Sequence, residues 1–570
     1  MDSDFIALAK RLKELPTKKV IALYKKSQNK RIIVARCYYD LKLFSQFFFS
    51  DVKIAPDGTK YKVGHTKDPF NKLHLDYFDD FDPQEKRIQK IYLAARGSAK
   101  TTLICLIDPL HRACYSTEKY QLILSSGAPL ARAKSKDIHR EVSMNDKLRH
   151  FYGLEFGAKR ASIDSFLVKS VFGECFFHAQ SFDSQIRGAK HGSERPTRVI
   201  YDDIVHGEEV FSEIQREQAK RKFLTDIKMA SQPDTNHIMV GTTIHAQDLI
   251  TEMSKQPTWK AKTYKAIRKW PKNMGLWDKW EKIWKDPTLT PNKKEEKAQM
   301  FYAEHSEKMN EGAEVLWPER EDLLFLMKER LTIGRREFGA EKQMEPFLNT
   351  DSLFQVISWY REEERDGVFG YYIEDSDKFI EYDRSRFVRY YALDPATGER
   401  KTQTQKKSLS QSARVIADRD IESGVVFLKI AIMDRKAPSK VIREMYDLHS
   451  EHDFLKMAFE ENLYRGLFGE HIHSMKEKWA NETGGGELEL PFEEIYNKKP
   501  KEERIYSLEP LVSSGKILFN KYMNPDFLTQ LRDYPNCDHN DGLDALEILI
   551  KVIDNSSALL MHKLSNYGRN

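Results

Sequence analysis

Between residues 87 and 244, short β-branched apolar runs alternate with helical stretches, and this alternation leaves few folds open. "RIQKIYLA" reads as a buried strand and "TTLICLIDPLHRACY" as the helix after it. "KYQLILSS" is a second strand, "LARAKSKDIHREVSM" a second helix, and "TRVIYDD" and "HIMVGTTI" are further strands ending in polar residues. Strands alternating with helices predict a parallel sheet whose ligands sit at the strand C-termini.

The first strand-to-helix junction carries "LAARGSAKTT", residues 93–102. A phosphate-binding loop wraps phosphates with backbone N–H groups, bridges them with a lysine and holds magnesium on the next hydroxyl. Lys100 and Thr101 stand in that order at a helix N-terminus, where anions are favoured. The template's two glycines are replaced by Ala94 and Ala99, and a left-handed alanine costs about 1 kcal/mol. The candidate nucleotide-binding residues are Arg96, Gly97, Ser98, Ala99, Lys100, Thr101 and Thr102, with Thr101 also on the metal. Arg96 reads either as a charge stabiliser beside the γ-phosphate or as a salt-bridged surface arginine.

"RVIYDDI" ends a strand in paired acids: Asp202 suits the metal and Asp203 the base that polarises water. The plainer reading is a capped turn. "IMVGTTIH" ends a strand in hydroxyls, so Thr242 is a candidate γ-phosphate contact. No one of these motifs decides the matter. Their order across one sheet predicts an α/β, P-loop (ASCE-type) parallel-sheet ATPase.

A second set of acids follows residue 350. "RFVRYYALD" ends at Asp394, "LKMAFEEN" carries Glu460 and Glu461, and "HNDGLDAL" opens a helix with Asp541 and Asp544. "SARVIAD" and "GVVFLKIAIMD" read as an antiparallel meander between the first two. An acid on the first strand, one on the strand after a meander and helix, and one on a late helix predict a ribonuclease H-like nuclease. Such a cluster holds two divalent ions about 4 Å apart. Asp394, Glu460, Asp541 and Asp544 are the expected ligands; strand alternation turns Glu461 away. Asp394, Glu460 and Asp541 are the expected catalytic acids, beside Arg96 and Asp203 at the first site.

At 570 residues the chain is too long for one ordinary core. The expected divisions are a helical segment at 1–50, an ATPase core at 51–260, a Lys-, Glu- and Trp-rich lid or linker at 261–350, the nuclease at 351–555 and a flexible tail at 556–570. Aromatics in "LKLFSQFFFSD" are expected in a core. A net charge of +5 permits local basic patches without arguing for them. Cys37, Cys105, Cys114, Cys175 and Cys537 lack metal or disulfide spacing, which fits a reducing compartment. No signal peptide or spanning run is evident, so an intracellular protein is expected.

The ordered series "RGSAKT", "RGAKHGSERPTRVIYDDI", "VGTTIH", "VLWPERED", "FGAEKQMEP", "LDPATG", "FEEN" and "NDGLDAL" resembles the large terminase subunit of tailed bacteriophages, over nearly the whole chain. The chain departs from that family at Ala99, at Asp203 (where Glu208 or Glu209 would share the base role) and at Asn540. The resemblance implies a motor that uses ATP and Mg2+ to drive double-stranded DNA into a prohead, with Thr242 and Thr243 coupling hydrolysis to movement. It implies a nuclease using Mg2+ or Mn2+ to cut concatemeric DNA. It also implies a portal protein and a small terminase subunit as partners and a homo-oligomeric ring, without a membrane. Such a protein works in the host cytoplasm, attaches transiently to the prohead and is not expected in the mature virion. Two rivals remain: a helicase-like DNA-repair ATPase with a fused nuclease, and an adaptor that kept the fold without catalysis.

Overall fold

The computed structural model describes residues 2–49, 52–54, 60–62, 70–157, 162–184, 186, 191–204, 213–228, 231–346, 352–395, 411–460, 469–484, 488–497, 499–537 and 539–567. For 52–54, 60–62, 460, 469–471, 473 and 557–567 only the backbone is described. The chain forms two compact units. One comprises residues 1–270, 312–327 and 337–348, the other 271–311, 328–336 and 349–570. The stretch 261–350, expected as one lid or linker, is therefore divided between them.

The first unit is built on an eight-stranded sheet of β1 (Gln89–Ala94), β2 (Tyr120–Ser125), β3 (Glu155–Phe156), β4 (Ser165–Ser170), β5 (Gly173–Ser181), β6 (Arg198–Asp202), β7 (Asn236–Gly241) and β8 (Lys260–Tyr264). Their order is β8-β1-β7-β6-β2-β5-β4-β3. The six strands from β8 to β5 are parallel, and β4 and β3 add an antiparallel edge. One strand, β7, separates the loop strand from the acid-tipped strand, as the ASCE-type arrangement requires. β2, β6 and β7 are buried along their whole length. Helices cover both faces of such a sheet, so its strands read as continuous apolar runs.

Four helices, Ser3–Lys13, Thr17–Ser27, Lys30–Cys37 and Leu41–Phe48, precede the sheet and share its core. Phe44 and Phe48 pack edge-on or tilted against Tyr152, as expected for core aromatics. The helix after the loop runs from Lys100 to Tyr115, with a π turn at Leu103–Ile107. A buried polar knot ties it to β6. Asp108 accepts from Tyr77 Oη at 2.7 Å and Arg112 Nε at 2.9 Å, and pairs with Arg198. Burial pushes the Asp108 carboxyl up, but Arg112, Arg198 and Tyr77 together hold it below the usual range.

The second unit has a nine-stranded sheet of β9 (Ser358–Arg365), β10 (Val368–Ile373), β11 (Lys378–Glu381), β12 (Phe387–Asp394), β13 (Ser412–Asp420), β14 (Val426–Asp434), β15 (Lys456–Glu460), β16 (Phe492–Ile495) and β17 (Ile517–Asn520). The order is β11-β10-β9-β17-β14-β13-β12-β15-β16. Within it, the antiparallel meander β12–β13–β14 is continued by β15 and β16 parallel to β12, the ribonuclease H-like order. Period-two alternation divides β12. Tyr391 and Leu393 pack with the helix Pro438–His452, while Tyr390 and Ala392 pack with the helix Asp541–Tyr567. That last helix runs through 556–567, the stretch expected as a tail. The tryptophans of "GLWDKWEKIW" pack inward: Trp277 and Trp280 donate their indole N–H to Met309 O at 2.8 Å and Ala298 O at 3.1 Å.

Among the described residues no helix is long and apolar enough to cross a membrane. Cys37, Cys105, Cys114 and Cys175 are buried, and burial pushes their thiols up.

Candidate functional site

The register of the first sheet brings its functional ends into one row. Leu93 pairs with Gly241, Asp202 with Val240 and with Ser125, and Ala94 with Tyr264. Residues 95–99, 203 and 242–243 therefore leave the sheet side by side.

The loop adopts the conformation that its alanine resists. Gly97 has φ 89° and Ala99 has φ 60°, ψ 24°, immediately before the helix. A Cβ on Gly97 would collide with the Glu321 carboxylate. Ser98 O accepts from Asn71 Nδ2 at 3.1 Å. Lys342 Nζ donates to Arg96 O at 3.0 Å and to both Glu321 oxygens at 3.0 and 3.1 Å. The "WPERED" and "GAEKQ" segments thus brace the loop from behind. Arg96 N donates to Glu341 O at 2.9 Å, while the Arg96 guanidinium is 76% exposed and 3.7 Å from the Glu341 carboxylate.

Lys100 is buried at the start of the helix, and Thr102 is half-buried in the same first turn. Thr101 Oγ1 donates to Asp202 Oδ1 at 3.1 Å, which joins the loop to the acid-tipped strand. Asp202 is only 1% exposed, and its other oxygen is 2.6 Å from Lys134 Nζ. Burial pushes the Asp202 carboxyl above the usual carboxylate range, and Lys134 opposes that shift without reversing it. Asp203 is half-buried at φ 47° and donates its N–H to Val240 O at 3.1 Å. A Cβ on Gly241 would lie 3.2 Å from Asp203 Oδ1, so the glycine of "VGTT" gives that acid room. Thr242 is half-buried and Thr243 buried. The hydroxyls of Ser98, Ser125 and Thr243 are buried without a hydrogen-bond partner among the described residues. Orphaned donors around a buried lysine suit phosphate oxygens, and Thr101 with Asp202 offers hard oxygen ligands for magnesium. Glu208 and Glu209 lie outside the described residues.

In the second unit Asp394 ends β12 and Asp541 opens the helix Asp541–Tyr567, with Asp544 one turn on. All three are buried, and they converge on one ammonium. Lys501 Nζ lies 3.5 Å from Asp394 Oδ2, 3.2 Å from Asp541 Oδ1 and 3.2 Å from Asp544 Oδ2. Burial lowers the pKa of Lys501, but Asp394, Asp544 and Asp541 outweigh it and hold the pKa above the lysine range. Asp544 also pairs with Arg504, which reaches Glu547 at 2.9 Å. Gln411 N donates to Asp541 Oδ2 at 3.1 Å. Glu460 ends β15, whose Phe459 pairs with Leu393 beside Asp394. The Glu460 side chain and all of Glu461 lie outside the described residues.

Among the described residues no group of three or more His, Cys, Asp or Glu side chains is placed to hold a metal. The Lys501 ammonium stands among the described carboxylates there. The donor set remains one of hard oxygens drawn to positive charge, which suits Mg2+ or Mn2+.

Lys134, Lys342, Glu321, Lys501 and Arg504 are the residues that sequence reasoning missed. Glu321 and Lys342 lie in quoted motifs that carried no assigned role. Lys134 lies in a stretch that reads only as a helix, and Lys501 in a charge-rich stretch that carries no motif.

The chain thus joins a P-loop-type parallel sheet to a ribonuclease H-like domain. No family model matches the sequence, and no curated protein does. Among solved structures, it is similar to the large terminase from a thermophilic bacteriophage, at TM-score 0.39 and 10% identity over 85% of this chain and 99% of that one. It is also similar to the HK97 bacteriophage large terminase, at 0.30 and 13% over 89% and 98%. The human cytomegalovirus terminase nuclease domain matches at 0.23 and 13% over 31% and 88%. These likenesses are distant, and the chain's own geometry carries the functional reading.

Proposed function

We propose that the chain is a viral genome-packaging motor subunit, which hydrolyses ATP to move duplex DNA and cuts concatemeric DNA with a metal-dependent nuclease. The observation that carries it is the Thr101–Asp202 hydrogen bond, which couples a left-handed phosphate loop to a buried acid. The same chain holds a second acid cluster on a ribonuclease H-like sheet.

At the first site the backbone N–H groups of Gly97 and residues 99–102 and the Lys100 ammonium bind the phosphates. Thr101 and Asp202 would hold a magnesium ion, whose charge would offset that developing on the phosphoryl oxygens. Lys134 pairs with Asp202 and favours its charged form against burial, and Asp203 orients the attacking water and takes its proton. Thr242 and Thr243 feel the γ-phosphate and pass its loss to β7. At the second site Asp394, Glu460 and Asp541 would hold the divalent ions, with Asp544 ordering the cluster through its pairs with Lys501 and Arg504. Hydrolysis adds water across a P–O bond: the hydroxyl ends on phosphorus and the proton on the leaving oxygen. A translocating motor grips phosphates rather than bases, because its contacts cannot depend on sequence. A portal protein, a small terminase subunit and further copies in a ring complete the assembly.

ATP hydrolysis and duplex cleavage by wild type, Lys100→Ala and Asp394→Asn test this. Lys100→Ala is expected to lower hydrolysis about 100-fold or more while cleavage survives, and Asp394→Asn to do the reverse. Equal, poor hydrolysis by wild type and Lys100→Ala, with DNA and portal present, would refute the motor. Unwinding of a forked duplex would instead favour the repair-helicase reading.

A further inference from the structure

The second unit holds a cavity that neither proposed site uses. It encloses about 710 Å³ between the helix Pro291–Asn310, residues 328–332, the turn joining β13 to β14, β17 and the last helix. Val426, Ile517, Ile550 and Ile553 make one wall apolar. Among the lining residues the cations are Lys294, Lys328, Arg419 and Lys516, and the carboxylates are Glu295 and Asp554. Four cations against two carboxylates leave two positive charges over.

Lys294 concentrates that excess. It is 9% exposed, yet its ammonium makes no hydrogen bond or ion pair among the described residues. The carboxylates that act on it from nearby are already engaged. Asp286 pairs with Lys378 and accepts from Thr288 Oγ1 at 2.7 Å. Asp420 takes Arg386 at 2.9 and 2.7 Å and Ser423 Oγ at 2.6 Å. Burial holds the Lys294 ammonium below the lysine range; Asp286 opposes this and Lys516 adds to it. Lys516 differs in being exposed at the rim of the cavity, where it and Arg419 oppose the burial that pushes the Asp554 carboxyl up. Lys328 differs, lying 3.8 Å from Glu295 and 5.7 Å from the Trp284 ring centroid. A buried ammonium without a partner is costly, and folds keep one where an anion meets it.

We propose that this cavity binds a phosphate monoester with a flat apolar body, its dianion on Lys294 and Lys516 and its body against Val426, Ile517, Ile550 and Ile553. Two excess positive charges match a dianion. The volume lies within the range of about 300–1,000 Å³ usual for small-ligand sites. The inference stands whether or not the loop at Lys100 binds ATP.

Calorimetric titration of the full chain carrying Lys100→Ala tests it, with deoxyadenosine monophosphate, phenyl phosphate and inorganic phosphate as probes. At least one monoester is expected to bind at least tenfold tighter than inorganic phosphate. Adding Lys294→Met or Lys516→Ala is expected to weaken that binding at least tenfold. Binding of deoxyadenosine monophosphate alone identifies a nucleotide, and equal binding of phenyl phosphate a general monoester; both support the proposal. Absence of monoester binding, equal affinity for inorganic phosphate, or binding unmoved by both substitutions would overturn it. Lys294→Met is expected to keep or raise the thermal midpoint, since it removes a buried charge. That check separates lost binding from lost fold.

Discussion

Ala99 carries a left-handed backbone that glycine would adopt freely, and it does so where the loop must turn into its helix. Ala99→Gly should therefore raise the unfolding free energy by about 1 kcal/mol, read by urea denaturation; a loss of stability would mean the strain is absent. His237 makes a different residue-scale demand. It begins β7, shares a 2.8 Å hydrogen bond with Tyr201, and burial pushes its pKa down to about 4. An unfolded histidine takes up its proton near pH 6.5. Between that value and about 4 the unfolded chain binds a proton that the folded chain refuses, so stability falls as pH falls. The loss approaches about 3 kcal/mol at the acid end, at about 1.4 kcal/mol for each pH unit. His237→Gln should flatten this slope by one proton, measured as unfolding free energy against pH.

At the scale of elements, the buried knot at Asp108 decides how firmly the loop helix is held. Arg198→Met leaves that carboxylate short of a partner, and removing one member of a buried pair costs about 3–5 kcal/mol. Gly542 makes a steric counterpart in the second unit. A Cβ there would lie 2.6 Å from Phe527 and 2.9 Å from Gln530 Oε1. Gly542→Ala should cost about 1–3 kcal/mol and disturb the turn that aims Asp541 and Asp544. The strands that bear the acids were legible because burial on both faces leaves unbroken β-branched runs. The helix expected between the meander and the next acid-bearing strand is Pro438–His452. The edge strands β3, β4 and β9–β11 were not, since half-exposed strands carry polar residues and blur into loops. Lys501 and Lys134 were unreadable for a related reason. A lysine in a charged stretch looks solvated until the fold brings a distant carboxylate to it.

For the whole molecule, two compact units with separate cores predict two calorimetric transitions rather than one. Arg198→Met should lower one midpoint and Gly542→Ala the other; a single transition moved by both would contradict independent units. The interleaved strand order of the first unit also bears on synthesis. β7 lies between β1 and β6, although it follows both in the chain. The loop and its acid cannot meet until that late strand threads into place, and non-local pairing of this kind forms slowly. Under the proposed function, a polypeptide still leaving the ribosome stays inert toward ATP until Gly241 has emerged and inserted. Premature termination between Asp203 and Gly241 yields a fragment with both halves of the site and no way to join them.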